Sequence, residues 1–368
     1  MKILYSLLFM VLASFVMTGS AQRQDKTTTS SNRVVLITLD GYRWQELFAG
    51  ADSFLVRDSK YVTDTSALIK KFWRATPQQR REALMPFVWD FVQGNGIMLG
   101  NRYKGQQMRV ANGMHFSYPG YNEDLCGIPD DKNIHSNDKI YNPNVSVLEA
   151  ANNSPIYKNS VLAFGSWDVF PYILNEKRSK LEVNAGYRSS LSPKPTKLEK
   201  AMDIIQQEEP RHWKGVRWDT YTFHYALEAM KTRHPKMVYI AFGETDDFAH
   251  EGLYDEYLAS AHRTDEFIRQ LWEYVQSDPF YKGQTTFIIT CDHGRGRVED
   301  NKDYWRSHGT QIPHSEETWL IAFGNKIKKE GVVKNGPVYY NKQVAPTVAR
   351  LLNLDFLRDS KPLDIFYY

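Results

Sequence analysis

The stretch Val34-Val35-Leu36-Ile37-Thr38-Leu39-Asp40-Gly41 decides the fold. Six consecutive β-branched or aliphatic positions closed by Asp-Gly read as a strand buried on both faces, the kind that parallel sheets use. Similar runs recur at Val161–Gly165, 237–243, Thr285–Thr290 and 318–324. Helical stretches lie between them. Pro77–Leu84 follows Thr76, a good N-cap with Pro at the first helical position. A second helix is expected over 86–93, stopped by Gly94. Over 255–276, Leu258, Ala261, Phe267, Leu271 and Val275 keep helical spacing, and Val344–Leu352 reads as another helix. This alternation predicts an α/β fold with a mostly parallel central sheet flanked by helices on both faces. The polar stretch 178–217, with Pro193 and Pro195, is expected to be a loop-rich cap or insertion.

The N-terminus reads differently. Met1-Lys2 is a short basic start, residues 3–17 are apolar, and Thr18-Gly19-Ser20-Ala21 supplies small residues for cleavage. About 15 apolar residues fall short of the ~20 that span a bilayer. Residues 1–21 are therefore expected to be an export signal, 22–32 a flexible lead-in, and 33–368 one catalytic domain. The expected destination is the periplasm or the exterior, with no membrane span in the mature chain. The chain has 368 residues and a formal net charge of +3, which gives no support to a nucleic-acid surface. Two cysteines, Cys126 and Cys291, make neither a disulfide framework nor a metal knot, and two separate buried thiols are the favoured reading.

Ligands of open parallel sheets bind beyond the carboxyl ends of the strands. Asp40, Asp246-Asp247 and Asp292-His293 each follow a strand there. Asp246 and His250 are four apart, so one helical turn puts both on one face, as a chelate requires. His314 precedes the strand expected at 318–324. Ser117, two residues before Pro119, is expected to cap a helix that starts near Tyr118, where the helix dipole favours an alkoxide and a bound anion. Three Asp, three His and a hydroxyl form a hard-to-borderline donor set. Such a set suits two divalent cations, Zn2+ first and Mn2+ second, and the absence of Cys makes the site catalytic rather than structural.

The order of these motifs resembles the alkaline phosphatase superfamily, especially its nucleotide pyrophosphatase/phosphodiesterase and phosphoglycerate mutase-like branches. The resemblance implies one metal held by Asp40, Ser117, Asp292 and His293, and a second held by Asp246, His250 and His314. It implies attack by Ser117 on a small-molecule phosphate ester through a covalent phosphoserine, with Asn137 donating to the phosphoryl oxygen. The phosphodiesterase branch carries Thr-Phe-Pro-Asn-His where this chain has Ser117-Tyr118-Pro119-Gly120-Tyr121. Alternatives on the same scaffold are a sulfatase, a phosphoglycerate mutase-type phosphotransferase, and a non-catalytic phosphate- or metal-binding protein. The sulfatase ranks lower because Cys126 lacks the Cys-x-Pro-x-Arg context. Lys139, Arg295 and Arg297 are candidate cations bordering the phosphate, and Tyr118, Tyr121 and Trp167 a candidate apolar wall.

Overall fold

The structure is a computed structural model that describes residues 32–356 and 358–367. The expected export signal, and all of the lead-in except Asn32, lie outside the described residues. The strands are β1 (Arg33–Leu39), β2 (Gly96–Leu99), β3 (Met108–Arg109), β4 (Val161–Gly165), β5 (Glu182–Ala185), β6 (Met237–Phe242), β7 (Thr285–Thr290), β8 (Glu317–Thr318), β9 (Leu320–Gly324), β10 (Gly331–Val332) and β11 (Tyr339–Tyr340).

Eight of them form the central sheet, in the order β10-β2-β9-β7-β1-β6-β4-β5. From β7 to β5 every pairing is parallel, and β9 runs antiparallel to both of its neighbours. The expected mostly parallel sheet is therefore present. β1 lies between β7 and β6, with Leu39 opposite Phe242 and Thr38 opposite Thr290. That register brings the carboxyl ends of three strands level, so Asp40, Gly243-Glu244 and Cys291-Asp292 leave the sheet at one edge.

Alternate residues of β1 feed two cores. Val35, Ile37 and Leu39 point to one face with Leu258, Ala261, Ile268 and Leu271 of the helix Tyr254–Ser277. Val34 and Leu36 point to the other, with Tyr121 and Leu125 of the helix Ser117–Cys126 and Val348 of the helix Val344–Leu352. Burial on both faces is why the run contains no polar alternation.

One expectation needs correction and two need refining. The segment 318–324 splits: β8 joins β3 and β11 in a small separate sheet, and only β9 enters the main one. The helix expected over 86–93 is present as a helical stretch over 86–95, but its middle, Val88–Val92, is a π-helical turn and it runs past Gly94 to Asn95. The stretch 178–217 has loops over 186–196 and 209–217, and between and before them it holds the helix Lys197–Glu208, with a Thr196/Glu199 capping box, and the edge strand β5. Its edge strand, Glu182-Val183-Asn184-Ala185, escapes detection because it carries one large apolar residue in four. Both cysteines are buried and free. No described helix is long and apolar enough to cross a membrane.

Candidate metal centre

The inner half of the site is built on strand ends. The Asp40 amide donates to Phe242 O at 3.0 Å. Gly41 then turns with φ +54°, and its amide donates to Asp292 Oδ1 at 3.1 Å. A Cβ at Gly41 would lie 2.8 Å from both Arg295 Nη2 and Asp246 Oδ1, so this turn needs glycine for space as well as for conformation. Asp40 Oδ2 accepts from the Tyr121 hydroxyl at 2.8 Å, which leaves Oδ1 facing inward. His293 is fixed by Nδ1 against Gly294 O at 2.9 Å. Its Nε2 lies 3.3 Å from Asp40 Oδ1, 3.4 Å from Asp292 Oδ2 and 3.8 Å from Asp246 Oδ1. Asp292 is fully buried, and its Oδ2 has no hydrogen-bond partner. Burial, and then the neighbouring Asp40 carboxylate, push the Asp292 pKa well up. Burial alone would lower His293, but Asp292 and Asp40 outweigh it and raise the imidazole to about 9. Several carboxylates crowded around one imidazole nitrogen call for positive charge at their centre.

Ser117 completes this half. It is the first residue of its helix and follows extended Phe116, so it does not cap the helix as the sequence suggested. Its hydroxyl is thereby left outside the helix ladder, with Oγ 3.5 Å from Asp40 Oδ1 and 3.4 Å from His293 Nε2. The capping contact comes from Asn137, whose Oδ1 accepts from the Tyr118 amide at 2.9 Å. Gly120 allows the helix to close on the strand end, since a Cβ there would clash with the Asp292 carbonyl.

The outer half rests on a helix and a loop. Asp219 caps the helix Glu244–Glu251 from outside, accepting from the Gly243 amide at 2.8 Å and the Glu244 amide at 3.2 Å. Thr245 ties that helix to β1 by donating to Asp40 O at 2.6 Å. Asp246 and His250 meet as expected for i,i+4 residues, Oδ2 to Nε2 at 3.2 Å. The third imidazole is His308, not His314. His308 Nε2 lies 2.9 Å from His250 Nε2 and 3.6 Å from Asp246 Oδ1, and its ring lies 4.0 Å from that of His293. Burial, with His293 second, holds His308 well below the usual histidine range, and its Nδ1 is buried without a partner.

His314 instead turns away, at φ +73°, to Glu317 at 3.1 Å and Asp300 at 3.3 Å. The intervening turn is closed by the Ser315 hydroxyl, which donates to Ile312 O at 2.6 Å, and by the Gly294 amide, which donates to Ser315 O at 2.7 Å. With the Ser315 hydroxyl also donating to Gly309 O at 3.0 Å, these bonds fix the turn that carries His314. The missed signal is the dipeptide His308-Gly309, a repeat of His293-Gly294.

The donors fit divalent cations. Ligand atoms of Asp40, Asp292 and His293 fall within 4.8 Å of one another, as do those of Asp246, His293 and His308. The unpartnered Asp292 oxygen and the facing nitrogens of His250 and His308 suit ions better than hydrogen bonds. The candidate phosphate cations all have carboxylate partners already. Arg295 is paired with Asp246 and donates to Gly41 O at 3.0 Å, Arg297 is paired with Glu317 at 2.6 Å, and Lys139 with Asp168 at 2.6 Å. Tyr118 and Tyr121 are core residues, and Trp167 packs edge-on to Phe170 rather than forming a wall with them.

A sulfatase-family model matches residues 195–354, a span that includes Asp246, His250, Asp292, His293 and His308. The wild-type alkaline phosphatase PafA superposes with a TM-score of 0.58 at 11% identity, covering 91% of this chain and 99% of PafA. The chain has an alkaline phosphatase-like fold. A phosphonate monoester hydrolase from Silicibacter pomeroyi shares this fold with a TM-score of 0.54 at 12% identity, over 90% of this chain and 76% of that one. A 2-O glycosaminoglycan sulfatase, BT1596, does so with a TM-score of 0.55 at 12% identity, over 90% and 73%. No curated protein sequence matches the chain. The residue groups above are where the described residues bring together donors able to hold a metal ion.

Proposed function

We propose that this chain is an exported, metal-dependent hydrolase of phosphate esters, with Ser117 as the nucleophile. The observation that carries it is the Ser117 hydroxyl, free of the helix ladder and within 3.5 Å of both Asp40 and His293. Two divalent ions, Zn2+ for preference, held by Asp40, Asp292, His293 and Ser117 and by Asp246, His250 and His308, would supply Lewis-acid charge at the ester oxygens. Ser117 Oγ attacks phosphorus in line, an Oγ–P bond forms, and the bond to the departing alkoxide breaks. Water then cleaves the phosphoserine and phosphate leaves. The helix N-terminus at Ser117 favours the negative charge that gathers on the transferring group. Asn137, oriented by accepting from the Tyr118 amide, has no partner for its Nδ2 among the described residues and would donate it to an equatorial oxygen, a contact worth roughly 3 kcal/mol.

A sulfatase is the second reading, and the relatives support it as well as the first. The chain's own residues favour phosphate. A Cys/Ser-x-Pro-x-Arg context for aldehyde formation is half present at Ser117-x-Pro119, but Tyr121 stands at the arginine position and donates to Asp40. Cys126 lies at the far end of the same helix, its thiol facing Asn144 O. Ser117 is therefore read as an unmodified serine. The test is a rate comparison of aryl phosphate, bis-aryl phosphate and aryl sulfate on zinc-loaded protein. One of the phosphate esters should exceed the sulfate at least about a hundredfold, and Ser117→Ala should remove turnover while retaining metal. A sulfate preference would transfer the chain to the second reading, and an active Ser117→Ala would remove the nucleophile.

A further inference from the structure

Across the helix Glu244–Glu251 from the metal centre lies a separate cavity of about 600 Å3. Glu244 and Phe248 line it, whereas Asp246 and His250 belong to the candidate metal centre. Residues two apart on a helix point about 200° apart, so the two sites share a wall without sharing a ligand. The opposite walls come from Glu209, His212, Trp218, Tyr221, Glu256 and Arg263, with His212 3.1 Å from Glu251 and stacked on one face of Trp218 at 5.5 Å between ring centroids. Trp218 is half-buried within an aromatic cluster, 4.9 Å from Trp213 and 6.2 Å from Phe248 between ring centroids.

The charges in this cavity do not balance. Arg263 is spent on Glu244, whose other oxygen accepts from the Asp219 amide at 2.8 Å. Glu209 accepts from the Tyr221 hydroxyl at 2.6 Å, and Glu256 is exposed. Neither Glu209 nor Glu256 pairs with a lysine or arginine among the described residues. Two uncompensated carboxylates beside the rings of Trp218 and Tyr221 repel anions and complement a cation with an apolar body. Ring faces attract such cations through their quadrupole, and carboxylates add the long-range term.

We propose that this cavity binds the alkylammonium group of a small organic cation. The inference does not rest on the reaction proposed for Ser117, because binding is read without turnover.

The test is calorimetric titration of the full chain, stripped of metal, with choline chloride, and in parallel with 3,3-dimethylbutan-1-ol, its uncharged isostere, and with glucose. Choline should give a saturable isotherm, the isostere should bind at least about tenfold more weakly, and glucose should give none. Glu256→Gln should weaken choline about threefold, and Trp218→Ala about tenfold or more. Because Glu256 is exposed, its variant keeps the test sound if Trp218→Ala fails to fold. Equal binding of choline and its isostere, preferential binding of glucose, unchanged affinity in Glu256→Gln, or no saturation up to roughly 50 mM choline would each overturn the proposal.

Discussion

The two halves of the candidate metal centre are made of the same side-chain types but held in different ways. Asp40, Asp292 and His293 hang from the ends of two adjacent parallel strands and are almost fully excluded from solvent. Asp246, His250 and His308 come from a short helix and a loop, and their side chains keep 15%, 46% and 12% of their exposure. Sheet register sets the inner positions to within a hydrogen bond, because Leu39, Phe242 and Thr290 are locked level by the ladder. The outer positions depend on an Asp219 cap and on a loop whose path the sheet does not dictate. The inner half is therefore the rigid reference, and the outer half is where the site can adjust.

The sharpest way to break this comparison is to remove one ligand from each half. Asp292→Ala should lower turnover by more than about a hundredfold, exceeding the 10–100-fold typical of residues that only support ligands. His308→Ala should reduce metal content from two ions to one per chain by elemental analysis, with turnover falling by at least about tenfold. His314→Ala should stay within about threefold of wild type, since its ring serves Glu317 and Asp300. If His314→Ala lost the second ion and His308→Ala kept it, the outer half as described would be wrong.

This contrast also explains what the sequence made legible. β1, β4 and β7 announce themselves as apolar runs, and the carboxylates following β1 and β7 could be read directly as site residues. Asp246 and His250 were readable because a helical turn gives i,i+4 residues one face. His308 was not, because a loop has no periodicity and nothing local says which histidine turns inward. The substitution of His308 for His314 was decided by turn hydrogen bonds around Ser315, a tertiary fact. Likewise β5 is recruited to the sheet by its neighbour β4 rather than by its own composition. The position of Ser117 as first helical residue, rather than cap, depended on the extended backbone of Phe116.

Smaller changes probe how each half is supported. Gly120→Ala drives a methyl into the Asp292 carbonyl and should destabilise the fold by about 1–3 kcal/mol in urea titration, with turnover lost alongside. Unchanged stability would mean that the nucleophile helix can retreat from the inner half, contrary to the rigidity argued for it. Tyr121→Phe removes only the hydroxyl that fixes Asp40, and should cost about tenfold in affinity for the inner metal.

The smallest effect is one of pH, and it concerns the support of the outer half. Burial, with Glu244 second, raises the Asp219 carboxyl to about 8. In the unfolded chain the same group ionises near its ordinary value of about 4. A carboxyl raised on folding contributes stability that is fully present below its unfolded pKa and is lost as pH climbs through the folded value. The metal-free wild type should therefore lose melting temperature between about pH 4 and pH 8 more steeply than Asp219→Asn, which carries no charge to bury. The melting difference should move in favour of the variant across that window and level off above it. A difference moving in favour of wild type instead would mean that the amides of Gly243 and Glu244, together with the Ser166 hydroxyl 2.6 Å away, hold the ionised form more tightly than burial penalises it. The outer helix would then be anchored as firmly as the strand ends, and the contrast between the two halves would shrink to their exposure alone.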